Sequence, residues 1–202
     1  MGKIGLFGGT FDPPHKAHIE LAAAVCKEFC LDKIIFIPAG NPPHKTDKKI
    51  TDKHHRYKMV ELAIENFDKF FVSDFDIKNE KPNYSYITIE HFKKLFFNDE
   101  IFFIVGEDSY RDLPLWKNYP NILSLCTFIV VNRPDVKDLD YYEKYKSLVP
   151  SHKALFLNDF SYDLSSTELR KNIASGNIKP HDLPFGVMEY IKNNKLYPKE
   201  SL

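Results

Sequence analysis

An excess of charge of either sign is missing from this chain. Its 202 residues carry 28 Lys and Arg against 28 Asp and Glu, so no global basic field exists to hold a nucleic-acid backbone by counterion release, which disfavours DNA or RNA as a partner. Long apolar runs are missing too. The most hydrophobic stretches, Lys33 to Pro38 and Cys126 to Val131, fall far short of the ~20 residues that a membrane-spanning helix needs. Met1-Gly2-Lys3-Ile4-Gly5-Leu6 has neither the charged start and long apolar stretch of a signal peptide nor the Ser or Thr of a myristoylation site. A cytoplasmic protein with no membrane contact is the expectation. Cysteine is scarce. Cys26, Cys30 and Cys126 cannot all pair, and reduced, packed thiols are expected of them. Neither standard phosphate motif occurs: Gly5, Gly8 and Gly9 do not spell G-x-G-x-x-G, and no G-x-x-x-x-G-K-[ST] is present, which argues against dinucleotide dehydrogenases and P-loop enzymes.

What is present is a globular composition, 43% hydrophobic and 28% charged, in a length that buries a sizeable core as one domain over residues 1–202. Short β-rich runs alternate with longer segments of helical spacing. Strands are expected at Lys3–Gly8, Lys33–Pro38, Phe70–Phe75, Ile101–Val105, Cys126–Val131 and Lys153–Leu157. Helices are expected at Lys16–Phe29, His54–Phe67, Tyr86–Phe97, Tyr141–Ser147, Ser166–Ser175 and Pro184–Asn193, with Gly176 as a C-cap signal. Several strands are apolar on consecutive residues, as when helices cover both faces of a parallel sheet. The pattern predicts an α/β fold with a doubly wound, mostly parallel sheet, whose ligands sit beyond the carboxyl ends of the strands where strand order reverses.

The first strand runs into Gly8-Gly9-Thr10-Phe11-Asp12-Pro13-Pro14-His15-Lys16-Ala17-His18. Paired glycines let a polyphosphate approach the backbone, and a helix start supplies free N–H groups and a positive dipole. His15 and His18, three apart, share one face at that positive end. Near the other end, Ser165-Ser166-Thr167-Glu168-Leu169-Arg170 offers hydroxyls at a second helix start, with Arg170 one turn further in. Ser166 ahead of Leu169 and Arg170 is also what an ordinary N-capped helix looks like. Both segments open helices after strands of one sheet, so phosphates could be held between them. Two histidines at this spacing could instead ligate a metal, but no third ligand stands nearby.

Together, Gly8-Gly9-Thr10-Phe11-Asp12-Pro13-x-His15-x-x-His18 and Ser165-Ser166-Thr167-x-x-Arg170 resemble the nucleotidyltransferase superfamily of the H-x-G-H type, and within it the bacterial nicotinate-nucleotide adenylyltransferases. The likeness extends through Pro42-Pro43-His44-Lys45, Arg56-x-x-Met59, Tyr84-Ser85-x-x-Thr88, Val105-Gly106-x-Asp108, Leu113-x-x-Trp116, Arg133-Pro134 and the tail from Leu183 to Tyr197. Ala17 stands where the pattern usually has Gly, and Ile87 where many relatives have Asp. The resemblance implies a Rossmann-like nucleotidyltransferase fold and transfer of the adenylyl group of ATP, with Mg2+, to nicotinate mononucleotide, giving deamido-NAD and pyrophosphate. It leaves homo-oligomerisation open.

By that resemblance, Gly8, Gly9, Thr10, Phe11, His15 and His18 line the ATP phosphate path. Gly106 and Asp108 receive the adenosine ribose, and Ser166, Thr167 and Arg170 hold the outer phosphates with help from Arg133. His15, His18 and Arg170 are the catalytic set. Trp116 would stack on the pyridinium ring, Tyr84, Ser85 and Thr88 would supply donors to its carboxylate, and Lys45 and Arg56 would meet the mononucleotide phosphate. Two other readings compete. One is a different adenylyl- or cytidylyltransferase of the superfamily; the other is a nucleotide-binding regulatory module without turnover, which could dispense with the histidines.

Overall fold

The computed structural model describes residues 1–42, 50–80, 83–131, 140–158, 160, 164–179 and 181–199. Strand and helix alternate along it. The elements are β1 (Lys3–Gly9), α1 (Lys16–Glu28), β2 (Lys33–Pro38), α2 (Lys53–Ile64), β3 (Phe70–Val72), α3 (Phe75–Lys78), α4 (Ser85–Leu95) and β4 (Glu100–Gly106). After them come α5 (Glu107–Arg111), a 3-10 turn (Leu113–Leu115), α6 (Tyr119–Leu125), β5 (Thr127–Val131), α7 (Asp140–Leu148), β6 (Lys153–Leu157), α8 (Ser166–Ser175) and α9 (Phe185–Asn193).

The strands form one six-stranded sheet in the order β3-β2-β1-β4-β5-β6, parallel at every pairing. Side chains of a strand alternate between its two faces, and here both faces are apolar. Phe7, Ile34, Phe36, Phe102, Ile104, Ile129 and Val131 belong to one core layer. Ile4, Leu6, Ile35, Ile37, Ile101, Phe103, Val105, Phe128 and Val130 belong to the other. The first layer is closed by α1, α2, α8 and α9 through residues such as Val25, Met59, Leu169 and Val187. The second is closed by α4, α5, α6 and α7 through Ile89, Tyr110, Ile122 and Tyr145. Two-sided burial is why the strands read as continuous apolar runs rather than as alternating ones.

Several boundaries differ from expectation for local reasons. The run Phe70–Phe75 leaves the sheet after Val72, where the Ser73 hydroxyl accepts from the Phe75 N–H at 3.2 Å and turns the chain into α3. Ser165, not Ser166, caps α8: its side chain accepts from the Glu168 N–H at 3.2 Å. Gly176 closes that helix in the left-handed conformation at φ 77°, as its C-cap signal implied. Cys26 and Cys126 are packed, whereas Cys30 is exposed, and all three are free.

The exit of β2 contains one close approach that demands glycine. A Cβ at Gly40 would land on the carbonyl oxygen of Asp76, so the chain after β2 lies directly against α3. Gly40→Ala is expected to destabilise the protein by about 1–3 kcal/mol, the usual cost of forcing extra volume into a packed site. A urea melt would register a lower midpoint at unchanged slope, and a midpoint equal to that of the parent protein would contradict the contact.

Candidate functional site

Strand order reverses between β1 and β4. From β1 the chain turns to α1 on one face of the sheet, and from β4 to α5 on the other, which opens a crevice at the carboxyl ends of these two strands. A cavity of about 450 Å³ lies there. Its lining brings together eight of the residues singled out in the sequence: Gly8, Gly9 and Thr10 from the end of β1, Gly106 from β4, Tyr84, Ser85 and Thr88 from the start of α4, and Trp116. Gly9 is required by the protein itself, because a Cβ there would meet the Phe11 ring at 2.8 Å. Gly106 is different: among the described residues nothing lies within 4 Å of a Cβ built on it, so a side chain there would enter the cleft.

The pyridine-side expectations meet mixed geometry. Trp116 is half-buried, edge-on to Phe103 with ring centroids 6.3 Å apart, and its indole forms part of the cavity wall. Opposite expectation, the Thr88 hydroxyl is not free to meet a ligand. It donates to Asp76 Oδ1 at 3.0 Å and accepts from Asn83 Nδ2 at 3.1 Å. What α4 does present is its N-terminus: Tyr84 at the N-cap makes no side-chain cap, and while the Ile87 N–H donates to the Tyr84 carbonyl at 2.9 Å, the Ser85 and Tyr86 N–H groups have no acceptor within the helix.

Around the chain from Asp12 to His18 a second cluster forms beside the cavity. His15 occupies the N-cap position of α1 in extended conformation, φ −141° and ψ 171°. Its N–H donates to His18 Nδ1 at 3.2 Å, which leaves His18 Nε2 to carry the proton. The two rings lie 3.7 Å apart between centroids. His15 is buried, and among the described residues its Nδ1 has no hydrogen-bond partner. Burial pushes His15 down to about 4, and burial with the neighbouring His15 holds His18 well below the usual histidine range. Both imidazoles are therefore neutral at physiological pH. They act as hydrogen-bonding groups rather than cations until an anion arrives to raise their basicity.

The start of α8 reaches the same loop, as the sequence implied. Ser166 Oγ donates to the Pro13 carbonyl at 3.1 Å, and Arg170 Nη1 donates to the Asp12 carbonyl at 2.7 Å. Arg170 Nη2 also reaches Thr167 Oγ1 at 3.4 Å. Among the described residues these bonds occupy two of the five donors in the Arg170 fork. Asp108 is exposed outside the cavity lining and pairs with Arg111 at 2.8 Å.

Two expected ligand contacts are corrected. Arg56 does not face a phosphate: it is 1% exposed, and its guanidinium donates to the carbonyls of Thr51, Thr10, Ala39 and Gly40. It clamps the strand ends from inside. The Phe11 side chain is likewise core, 2% exposed and packed against Phe7, Phe36 and His18. Lys45 and Arg133 lie outside the described residues.

The sequence reading missed other parts of the site. Asp12 is a buried hub, accepting from Tyr197 Oη at 2.7 Å and from the Thr51 N–H at 3.3 Å; its place inside the motif was the available signal. Asp76, Asn83 and Lys117 also line the cavity, and Lys117 Nζ lies 4.5 Å over the Tyr84 ring. Asn83 and Lys117 adjoin recognised residues, whereas Asp76 had no local signal.

Comparison with known proteins agrees with this geometry. The cytidylyltransferase-like family model matches residues 6–172. A protein of Clostridium botulinum (strain Eklund 17B / Type B), named "Probable nicotinate-nucleotide adenylyltransferase", is 40% identical over 99% of this chain and 100% of its own length. One of the same name from Clostridium tetani is 41% identical over 98% and 100%. The structure of Plasmodium falciparum nicotinic acid mononucleotide adenylyltransferase complexed with NaAD superposes with a TM-score of 0.78 at 23% identity, covering 98% of each chain; at that identity it speaks for the fold. A parallel sheet reversing at β1 and β4, a histidine pair at the start of α1 and full-length identity near two residues in five converge on one assignment: the chain belongs to the nicotinate-nucleotide adenylyltransferase family, within the cytidylyltransferase-like proteins.

Proposed function

We propose that the chain transfers the adenylyl group of ATP to nicotinate mononucleotide, forming deamido-NAD and releasing pyrophosphate. The observation that carries this reading is the junction at the end of β1. There the aromatic cavity with Trp116 and the uncapped start of α4 runs along Thr10 into the loop that holds the paired neutral histidines and Arg170. One side suits a flat ring bearing a carboxylate; the other suits a polyphosphate.

In the reaction, an oxygen of the mononucleotide phosphate attacks the α-phosphorus of ATP. A new P–O bond forms as the bond to the β-phosphate bridging oxygen breaks, and its electron pair leaves with pyrophosphate. No general base is needed, because the attacking phosphate is largely ionised at neutral pH, its second pKa being near 6. The protein's task is positioning and neutralisation of charge. His18 Nε2–H donates to the α-phosphoryl oxygens. His15, whose buried Nδ1 has no partner among the described residues, gains one when a phosphate enters. The N-terminus of α8 with Ser166, Thr167 and Arg170 holds the β- and γ-phosphates, while Gly106 and Asp108 receive the ribose and Arg133 supplements the phosphate donors. Trp116 stacks on the cationic pyridinium ring, the first N–H groups of α4 meet its carboxylate, and Lys45 closes on the mononucleotide phosphate. Magnesium would enter with the phosphates of ATP and offset their charge there.

His18→Ala is expected to cut kcat by roughly 100-fold or more, the effect of removing one donor aimed at charge that develops in the transition state, while the affinity for ATP changes little. Steady-state pyrophosphate release with equilibrium ATP titration reads both. Normal turnover, or loss of ATP binding in proportion to activity, would contradict the role. Trp116→Ala should raise KM for the mononucleotide by roughly tenfold, the equivalent of a desolvated cation–π contact, with KM for ATP unchanged. An equal rise in both constants, or an unfolded protein, would make the tryptophan a packing residue only.

A further inference from the structure

The cavity wall contains a carboxyl group that the reaction as described does not use. Asp76 lies in α3, on the crossover from β3 to β4, and is 8% exposed. Its Oδ1 accepts from Asn83 Nδ2 and from Thr88 Oγ1, and Asn83 Nδ2 also reaches Thr88 Oγ1. The three polar groups thus close a ring that spans the N-cap of α4: Asn83 stands just before Tyr84, and Thr88 one turn inside. All three residues line the cavity. Tyr84 at the N-cap makes no side-chain cap of its own, and the ring holds this turn from outside the helix. Asp76 is its anchor, and Gly40 packed on the Asp76 carbonyl fixes the anchor in turn.

Building on the proposed function, we propose that Asp76 is a positioning residue for recognition of the pyridine carboxylate. It aims the first N–H groups of α4 through Asn83 and Thr88 and so contributes to selection of the acid over the amide mononucleotide. Two features favour this over a purely structural part. All three members of the ring line the cavity, so a change in it reaches the ligand side of the α4 turn and not the core alone. The Asp76 Oδ1 is also shared by both donors, so the placement of Asn83 and Thr88 on either side of the α4 N-cap is set through one atom.

The test is a set of three variants assayed with ATP and both mononucleotides. Asp76→Ala should raise KM for nicotinate mononucleotide roughly tenfold, the loss of about one charge-assisted hydrogen bond. KM for ATP should stay within about twofold and the acid-to-amide ratio of kcat/KM should fall. Asp76→Asn keeps an oxygen acceptor for Asn83 and Thr88 and should restore most of the KM. Thr88→Val, of similar shape but without the hydroxyl, should reproduce a weaker form of the alanine effect, and it decides the matter if Asp76→Ala does not fold. An unchanged KM for the acid in Asp76→Ala and Thr88→Val, or equal rises for ATP and mononucleotide, overturns the proposal. If the parent enzyme itself releases no pyrophosphate with nicotinate mononucleotide, the proposed function fails instead, so the two failures are distinguishable.

Discussion

A buried guanidinium organises the carboxyl end of this sheet, beside the crevice between β1 and β4. Arg56 donates to carbonyls at the exits of β1 and β2 and at the entry to α2. Removing such a charge from water costs several kcal/mol unless it is fully hydrogen-bonded; four carbonyl dipoles and the nearby Asp12 carboxylate offset that cost. The same arrangement decides where the loop after β1 can go. Asp12 is held by Tyr197 and the Thr51 N–H, and its carbonyl by Arg170. The tail of the chain, α2 and α8 therefore converge on one short segment, and the two histidines follow directly from it. Without the clamp, the backbone that sets the angle of His15 and His18 would lack a fixed reference.

From this constraint follows a division of the crevice into two chemical halves. The α1 and α8 starts bring two imidazoles, hydroxyls and the Arg170 guanidinium to one loop, which the proposed function uses as an anion cradle. The cavity between β1, β4 and α4 gathers Trp116, Tyr84 and an uncapped helix start, a setting for a ring with an anionic substituent. A phosphoryl transfer that needs no proton abstraction requires no more than substrates aligned across the junction and donors placed where charge builds. Depressed basicity in both histidines accords with that division: on the proposed function they would act as neutral hydrogen-bond donors rather than as resident positive charge.

Much of this was legible in the order of residues. Strands β2 and β6 and helix α8 fall at their expected bounds, because sharp punctuation at Pro38 and Gly176 coincides with the end of apolar periodicity. The short elements α3, α5 and α6 were not seen, since helices this brief, α5 from Glu107 to Arg111 for instance, give no periodic signal. Side-chain fate was harder. Arg56 in a motif reads the same whether it meets a phosphate or four carbonyls, and only burial separates the cases. Asp76 reaches the pocket from a crossover far in sequence from Thr88, so its hydrogen bond to that hydroxyl has no trace in local pattern.

Which pyridine nucleotide the cleft accepts decides whether its aromatic half is a nicotinate site. Pyrophosphate release by the purified chain, measured with ATP and magnesium against nicotinate and nicotinamide mononucleotides side by side, tests it most directly. Backbone N–H groups at the start of α4 suit a carboxylate and leave an amide poorly paired, so kcat/KM for the acid should exceed that for the amide by at least about tenfold, the worth of one charge-assisted hydrogen bond. Equal or better use of nicotinamide mononucleotide would contradict the account.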